Sequence, residues 1–180
     1  MPYLRRATDA PFGLMPYSDV LRLREYSKLT STPAIFAGDI LLLNSSGQLA
    51  PITGTRDVPV IGVAARSFAS GSTGVVPVYD HPEQLYAVQE DSVGTAMAQT
   101  NVGNMADPIG LTPGTAAQVT RNRSITQLDM STAGVINGML QIVGLHEVES
   151  GFPSASGNPR KVIVKINGAY HYFATQSSGV

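Results

Sequence analysis

From Ala34 onward, apolar positions fall in short runs separated by turn residues, and few segments keep a helical period. Asp39 to Leu43 is a compact apolar run, Asn44-Ser45-Ser46-Gly47 reads as a turn, and Gln48 to Ile52 returns as a hairpin partner. Val58 to Ala65 is apolar and β-branched, with Pro59 marking an edge or a strand start. Val75 to Tyr79 and Gln84 to Gln89 follow, joined by Asp80-His81-Pro82-Glu83. Ile125 to Met130, Met139 to Glu147, Val162 to Ile166 and Tyr170 to Ala174 read as closing strands, the last two joined by Asn167-Gly168 as a hairpin turn. No fixed-period repeat is visible. The pattern predicts a mainly β chain, an antiparallel β-barrel or β-sandwich.

Two stretches stand apart. Residues 1–34 hold Arg5, Arg6, Arg22, Arg24 and Lys28 against three acids, with prolines at 2, 11, 16 and 33 that prevent a long helix. Ser18 is a candidate cap for a short helix through Leu23, yet Leu21 and Leu23 also alternate with Arg22 and Arg24 as in a strand. The reading taken is an extended N-terminal arm, followed by a body at 35–180. Fully stretched, such an arm reaches on the order of 100 Å. Ordering it costs roughly 1–2 kcal/mol per residue, so Tyr3, Leu4, Phe12, Leu14, Met15 and Tyr17 must dock on the body or on a neighbouring subunit. Residues 92–120 carry one charge, Asp107, and read as a low-charge loop insertion, either an interface or a partly disordered segment.

Composition narrows the function. At 180 residues the chain suffices for one domain with a real core, and with no cysteine there is neither a disulfide nor a thiolate metal site. Charged residues are only 14% of the chain and the net charge is -1, so no field steers it to nucleic acid. A surface of Gly, Ser, Thr, Asn and Gln is cheap to desolvate, which suits burial in an assembly. No apolar run is long enough for a membrane span, and Asp9 and Pro11 interrupt any N-terminal signal; neither a targeting signal nor a membrane anchor is expected.

Candidate chemistry is sparse. His81, His146 and His171 lie in no metal-ligating spacing, and His81 between Asp80 and Glu83 is more naturally a surface turn than a cation site. No nucleophile elbow or phosphate loop is present; Ala69-Ser70-Gly71-Ser72 is the nearest approach. Asp80, Glu83, Glu90 and Asp91 form an acidic patch whose two halves are a strand's length apart, too far for paired-carboxylate hydrolysis. Its expected use is electrostatic, toward a basic arm on another subunit. No enzyme, cofactor or metal is expected.

Several motifs follow one another along the chain: Ala10-Pro11-Phe12-Gly13-Leu14-Met15-Pro16, Thr32-Pro33-Ala34-Ile35-Phe36-Ala37-Gly38-Asp39, Val60-Ile61-Gly62-Val63, and Val78-Tyr79-Asp80-His81-Pro82-Glu83-Gln84-Leu85-Tyr86-Ala87-Val88-Gln89. Gly103-Asn104, Leu128-Asp129 through Leu145, and Val162 to Asn167 complete the series. In this order they resemble a family of tailed-bacteriophage capsid decoration (cement) proteins. Residues 18–30 depart from the family's more glycine-rich segment. The resemblance implies a structural virion protein on the outer capsid surface, assembled as a homotrimer that ties major capsid protein subunits together. On that reading Arg5, Arg6, Arg22 and Arg24 meet acidic capsid residues while Phe12, Leu14, Met15 and Tyr17 supply apolar anchors. Two other classes were weighed. An adhesion or carbohydrate-binding module would stack sugars on Tyr79, Tyr86, Tyr170 and Tyr172, against which the absence of Trp counts; a small β-barrel enzyme lacks a catalytic constellation.

Overall fold

The computed structural model describes residues 11–17, 19–54, 58–91, 97–146 and 159–175. Among these the chain is mainly β, in two antiparallel sheets. The six-stranded sheet runs β1 (Met15–Pro16), β7 (Leu85–Gln89), β11 (Lys161–Ile166), β10 (Leu140–Leu145), β8 (Met105–Ile109) and β9 (Gln127–Asp129). The five-stranded sheet runs β2 (Leu23–Ser27), β6 (Val75–Tyr79), β5 (Gly62–Ala64), β3 (Ile40–Leu43) and β4 (Leu49–Pro51). Each sheet curls: Asp91 N donates to Leu128 O at 2.8 Å beside β9, and Leu29 N donates to Leu49 O at 3.1 Å beside β4. Neither ladder closes into a barrel, so of the two architectures left open by the sequence the sandwich-like one is observed.

Side-chain alternation along strands divides the five-stranded sheet between two cores. Ile40 and Val63 face the main core with Leu14, Tyr86, Val88, Leu140, Ile142, Val162 and Val164. Their neighbours Leu41 and Ala64 face a second cluster with Ile35, Leu49, Ile61, Val76 and Val78. A sheet covered on both faces needs apolar residues at successive positions, which is why these strands read as unbroken hydrophobic runs.

Two glycine sites fix how segments cross. Gly13 (φ 73°) and Gly38 (φ 91°) lie against each other, and Leu14 N donates to Gly38 O at 3.0 Å. Gly62 (φ 151°) lies so close to the Tyr79 carbonyl that any Cβ would collide with it. Both sites sit inside the motifs that carry the family resemblance.

Three expectations are corrected. Residues 97–120 are not a loop insertion: they hold a 3-10 turn (Gln99–Asn101), β8 and most of α1 (Ala116–Arg121). The Thr115 hydroxyl accepts from Gln118 N, and the Gln118 side chain accepts from Thr115 N at 3.0 Å, a reciprocal cap that starts the helix. Tyr170 to Ala174 is not a strand but leads into α2 (Tyr172–Thr175). Neither Asn167 nor Gly168 takes the positive φ that a two-residue hairpin turn requires; instead Asn167 Oδ1 accepts from Ala169 N, and Tyr170 N bonds back to Asn167 O. Finally, the described N-terminal residues do not stand apart as an arm: they are woven into the body through β1 and β2, and the chain turns at Thr30 and Ser31.

Candidate interaction surface

Residues 80–84 carry the chain from β6 in one sheet to β7 in the other, and this corner holds the incoming segment 19–26. Asp80 is fully buried. Its Oδ1 accepts from Arg22 Nε at 2.6 Å, its Oδ2 from the Tyr26 hydroxyl at 2.5 Å, and its carbonyl from Arg22 Nη2 at 2.6 Å. Arg24 Nε stands 3.7 Å from Oδ2. Burial and the adjacent carboxylate push the Tyr26 phenol up to about 12, so it remains a donor. Buried Gln84 completes the grip: Oε1 accepts from Leu21 N at 2.9 Å, and Nε2 donates to Leu85 O at 3.0 Å. The arrangement satisfies the rule that a buried carboxylate must be paired and hydrogen-bonded.

The C-terminal end of the described chain joins the same cluster. The Arg22 and Arg24 guanidinium carbons lie 4.8 and 5.3 Å from the Phe173 ring centroid, within cation–π range. Phe173 itself packs on the second core. Backbone bonds from Val60 N to Tyr170 O and from Tyr172 N to Val60 O pin this region to the approach to β5, and burial lowers the adjacent His171 to about 4.

What the cluster presents is an apolar surface on polar scaffolding. Val20, Leu21 and Leu23 are 48, 52 and 51% exposed, immediately before and within β2, an end strand of its sheet. Large side chains exposed at this level, contiguous and on a segment held by buried ties, mark a contact surface better than scattered ones do.

The sequence-predicted arm residues do not form an outward row. Arg5 and Arg6 lie outside the described residues. Leu14 is fully buried in the main core and cannot anchor a neighbouring subunit. Met15 pairs with Ala87, Tyr17 N donates to Leu85 O at 2.8 Å, and the Tyr17 ring meets His146 edge-on at 5.2 Å. The Phe12 ring lies 5.9 Å from Lys161 Nζ. Arg22 and Arg24 serve Asp80 within their own chain. Within the described N-terminal segment the large apolar side chains that are exposed are Val20, Leu21 and Leu23, which were not among those expected to anchor it.

The expected acidic patch is likewise not a patch. Asp80 is buried, and so is Glu90, whose carboxylate accepts from Met97 N at 2.9 Å and Arg160 N at 3.1 Å. Asp91 Oδ1 accepts from Met130 N at 3.0 Å, and exposed Glu83 pairs with Lys165 at 3.2 Å. Three of the four acids bind backbone or side-chain donors inside the fold, because sequence proximity across a strand and two turns does not place side chains on one face. His81 Nδ1 accepts from Glu83 N at 3.1 Å in the turn. Among the described residues no three His, Asp or Glu converge on a metal-sized site.

Tyr86, proposed as a stacking platform, is fully buried and donates its hydroxyl to Tyr79 O at 3.0 Å, while Tyr170 donates to Asn137 O at 2.6 Å. The four tyrosines therefore form no shared exposed platform. One titratable group was missed by sequence reasoning: Asp39, whose Oδ2 accepts from Phe36 N at 2.8 Å and which burial pushes up to about 6. It borders a cleft lined by Pro51, Leu111, Pro113, Gln118 and Thr126, with room for about one water molecule.

No protein-family model matches the chain, and no curated protein matches it. No helix among the described residues is long and apolar enough to cross a membrane.

Proposed function

We propose that this chain is a structural virion protein that binds the outer surface of a phage capsid and stabilises it by bridging major capsid protein subunits, without catalysis. The carrying observation is the half-exposed apolar segment Val20, Leu21 and Leu23, fixed on a sheet edge by buried Asp80 and Gln84. Support also comes from what the resemblance motifs do. Gly13, Gly38, Gly62, Asp80, Gln84 and Tyr86 each set a crossing or a tie between segments. Motifs made of such residues are signatures of a shared fold rather than of a shared reaction. A low-charge surface, 14% charged residues overall, lowers the desolvation cost of packing copies and capsid together. In this reading the copies associate as a homotrimer, whose several attachment points raise effective concentration at the capsid. Neither nucleic acid nor membrane is a partner.

Bridging makes a mechanical prediction. Capsids saturated with the protein should break open at a higher temperature than bare capsids, followed by light scattering and dye access to packaged DNA. An unchanged breakage temperature at saturation would contradict the bridging role.

A further inference from the structure

The segment that carries α1 meets the five-stranded sheet across a narrow cleft. The sheet lines it with Asp39, Ile40 and Pro51, and residues 111–126 line it with Leu111, Gln118 and Thr126, leaving room for about one water molecule. Hydrogen bonds tie this segment to the residues flanking β3 and β5. Ser124 N donates to Ala37 O at 3.0 Å, and Ser67 Oγ donates to Asn122 O at 3.1 Å.

Two buried polar side chains line the cleft. Asp39 is 5% exposed and Gln118 1%. Gln118 Oε1 accepts from the Thr115 amide and hydroxyl, while its Nε2 donates no hydrogen bond among the described residues. Asp39 Oδ2 accepts from Phe36 N, and no charged side chain lines the cleft with it. The elements packed around Asp39 are residues 36–38, β3, β4, β5, the loop 111–115, α1 and residues 124–126. Besides Asp39 their one charged side chain is Arg121, which is exposed and donates to Pro11 O at 3.4 Å; Arg123, beside Ser124, is exposed too.

A carboxylate buried without a cation is costly, whereas the neutral acid needs only hydrogen bonds. Burial accordingly pushes Asp39 up to about 6, over the opposing hydrogen bonds of Ser124 and the Phe36 amide. Hydration relieves the charge. Water entering between Asp39 and Gln118 finds an acceptor in the one and the Nε2 donor in the other, but with room for about one molecule, fuller hydration requires the cleft to widen. We propose that Asp39 is a proton-operated latch: with a neutral carboxyl, α1 and the turn to Ser124 close on the five-stranded sheet, and with a charged one the cleft opens and water bridges Asp39 and Gln118. The raised acid keeps the latch shut below about pH 4, and ionisation releases it as pH rises through 6. The shift from 3.8 to about 6 limits the gain in opening to on the order of 100-fold.

The test is amide hydrogen exchange of the full chain, wild type and Asp39→Asn, from pH 4 to 7, expressed as protection factors. Amides of β11, which lies inside the six-stranded sheet between β7 and β10, report global unfolding. In the wild type, protection of the Ser124 amide should fall with rising pH by about tenfold or more beyond any change in β11. In Asp39→Asn the Ser124 amide should keep a constant ratio to β11. Should Asp39→Asn prove unfolded, carbon NMR of the wild type decides instead: the Asp39 carboxyl carbon and the Ser124 amide should titrate with one midpoint near 6. Ser124 protection that follows β11 at every pH, the same profile in both proteins, or two different midpoints overturns the latch.

Discussion

Arg22 and Asp80 are 58 residues apart in the chain and 2.6 Å apart in the fold, and their bond joins the N-terminal segment to the corner between the two sheets. Asp80 is fully buried while the Arg22 side chain keeps 28% exposure, so the aspartate depends on its partners more than the arginine does. Asp80→Ala leaves Tyr26 and two guanidinium groups without their acceptor and should destabilise by about 2–4 kcal/mol in urea unfolding. Arg24→Ala removes a longer, half-exposed contact and should cost about 1 kcal/mol or less. Equal effects of the two substitutions would contradict the central place given to Asp80.

Leu14 separates an integrated N-terminal segment from a free one. Buried in the main core, it should cost about 2–5 kcal/mol when changed to Ala. A free arm would make the same substitution nearly silent, within about 0.5 kcal/mol.

Gly62 has a backbone oxygen where a side chain would begin. Gly62→Ala should therefore lower the thermal midpoint steeply or prevent folding, whereas Gly47→Ala, in open space at φ 72°, should cost only about 1–2 kcal/mol for its left-handed backbone. Comparable midpoints for the two variants would remove the close crossing of β5 and β6 from the account.

Acid stability has two opposing contributions. Burial raises Asp39 from 3.8 to about 6, so its contribution is fully present below about pH 4 and is lost as pH rises through 6, by about 3 kcal/mol. Burial lowers His171 from 6.5 to about 4, so its contribution is present above about pH 6.5 and is lost, by a similar amount, as pH falls toward 4. Between pH 4 and 6 the two slopes oppose each other. Relative to wild type, Asp39→Asn should lose stability more steeply on acidification, and His171→Gln should gain it. Urea midpoints measured from pH 4 to 8 give the slopes; parallel profiles for all three proteins would contradict both assignments.

Much of the sheet structure is legible from short-range pattern, because strands such as Val75–Tyr79 and Leu85–Gln89 are bounded by turn residues on both sides. The misreadings have two causes, a local signal passed over and tertiary partners that the sequence does not reveal. Thr115-Ala116-Ala117-Gln118 carries a capping-box signal that was lost in a Gly- and Thr-rich stretch read as loop. Asn167-Gly168 has the composition of a hairpin turn, yet Asn167 also donates to Gly138 O at 3.0 Å, a bond available only once β10 is in place. At the candidate surface, Asp80 and Gln84 stood out by motif. That their targets are Arg22, Tyr26 and Leu21 could not be read from spacing, so acids destined for the interior were placed outside and Leu14 was placed on an arm. The exposed Val20-Leu21 pair was visible in the sequence but looked like ordinary strand material.

The most direct test of the capsid role is saturation binding of the purified wild-type protein to capsids of the same phage, read by sedimentation across a concentration series. The account predicts a plateau at a fixed ratio to the major capsid protein, with the bound protein released as trimers. Protein that stays in the supernatant at every concentration, or that accumulates without a plateau, would contradict it.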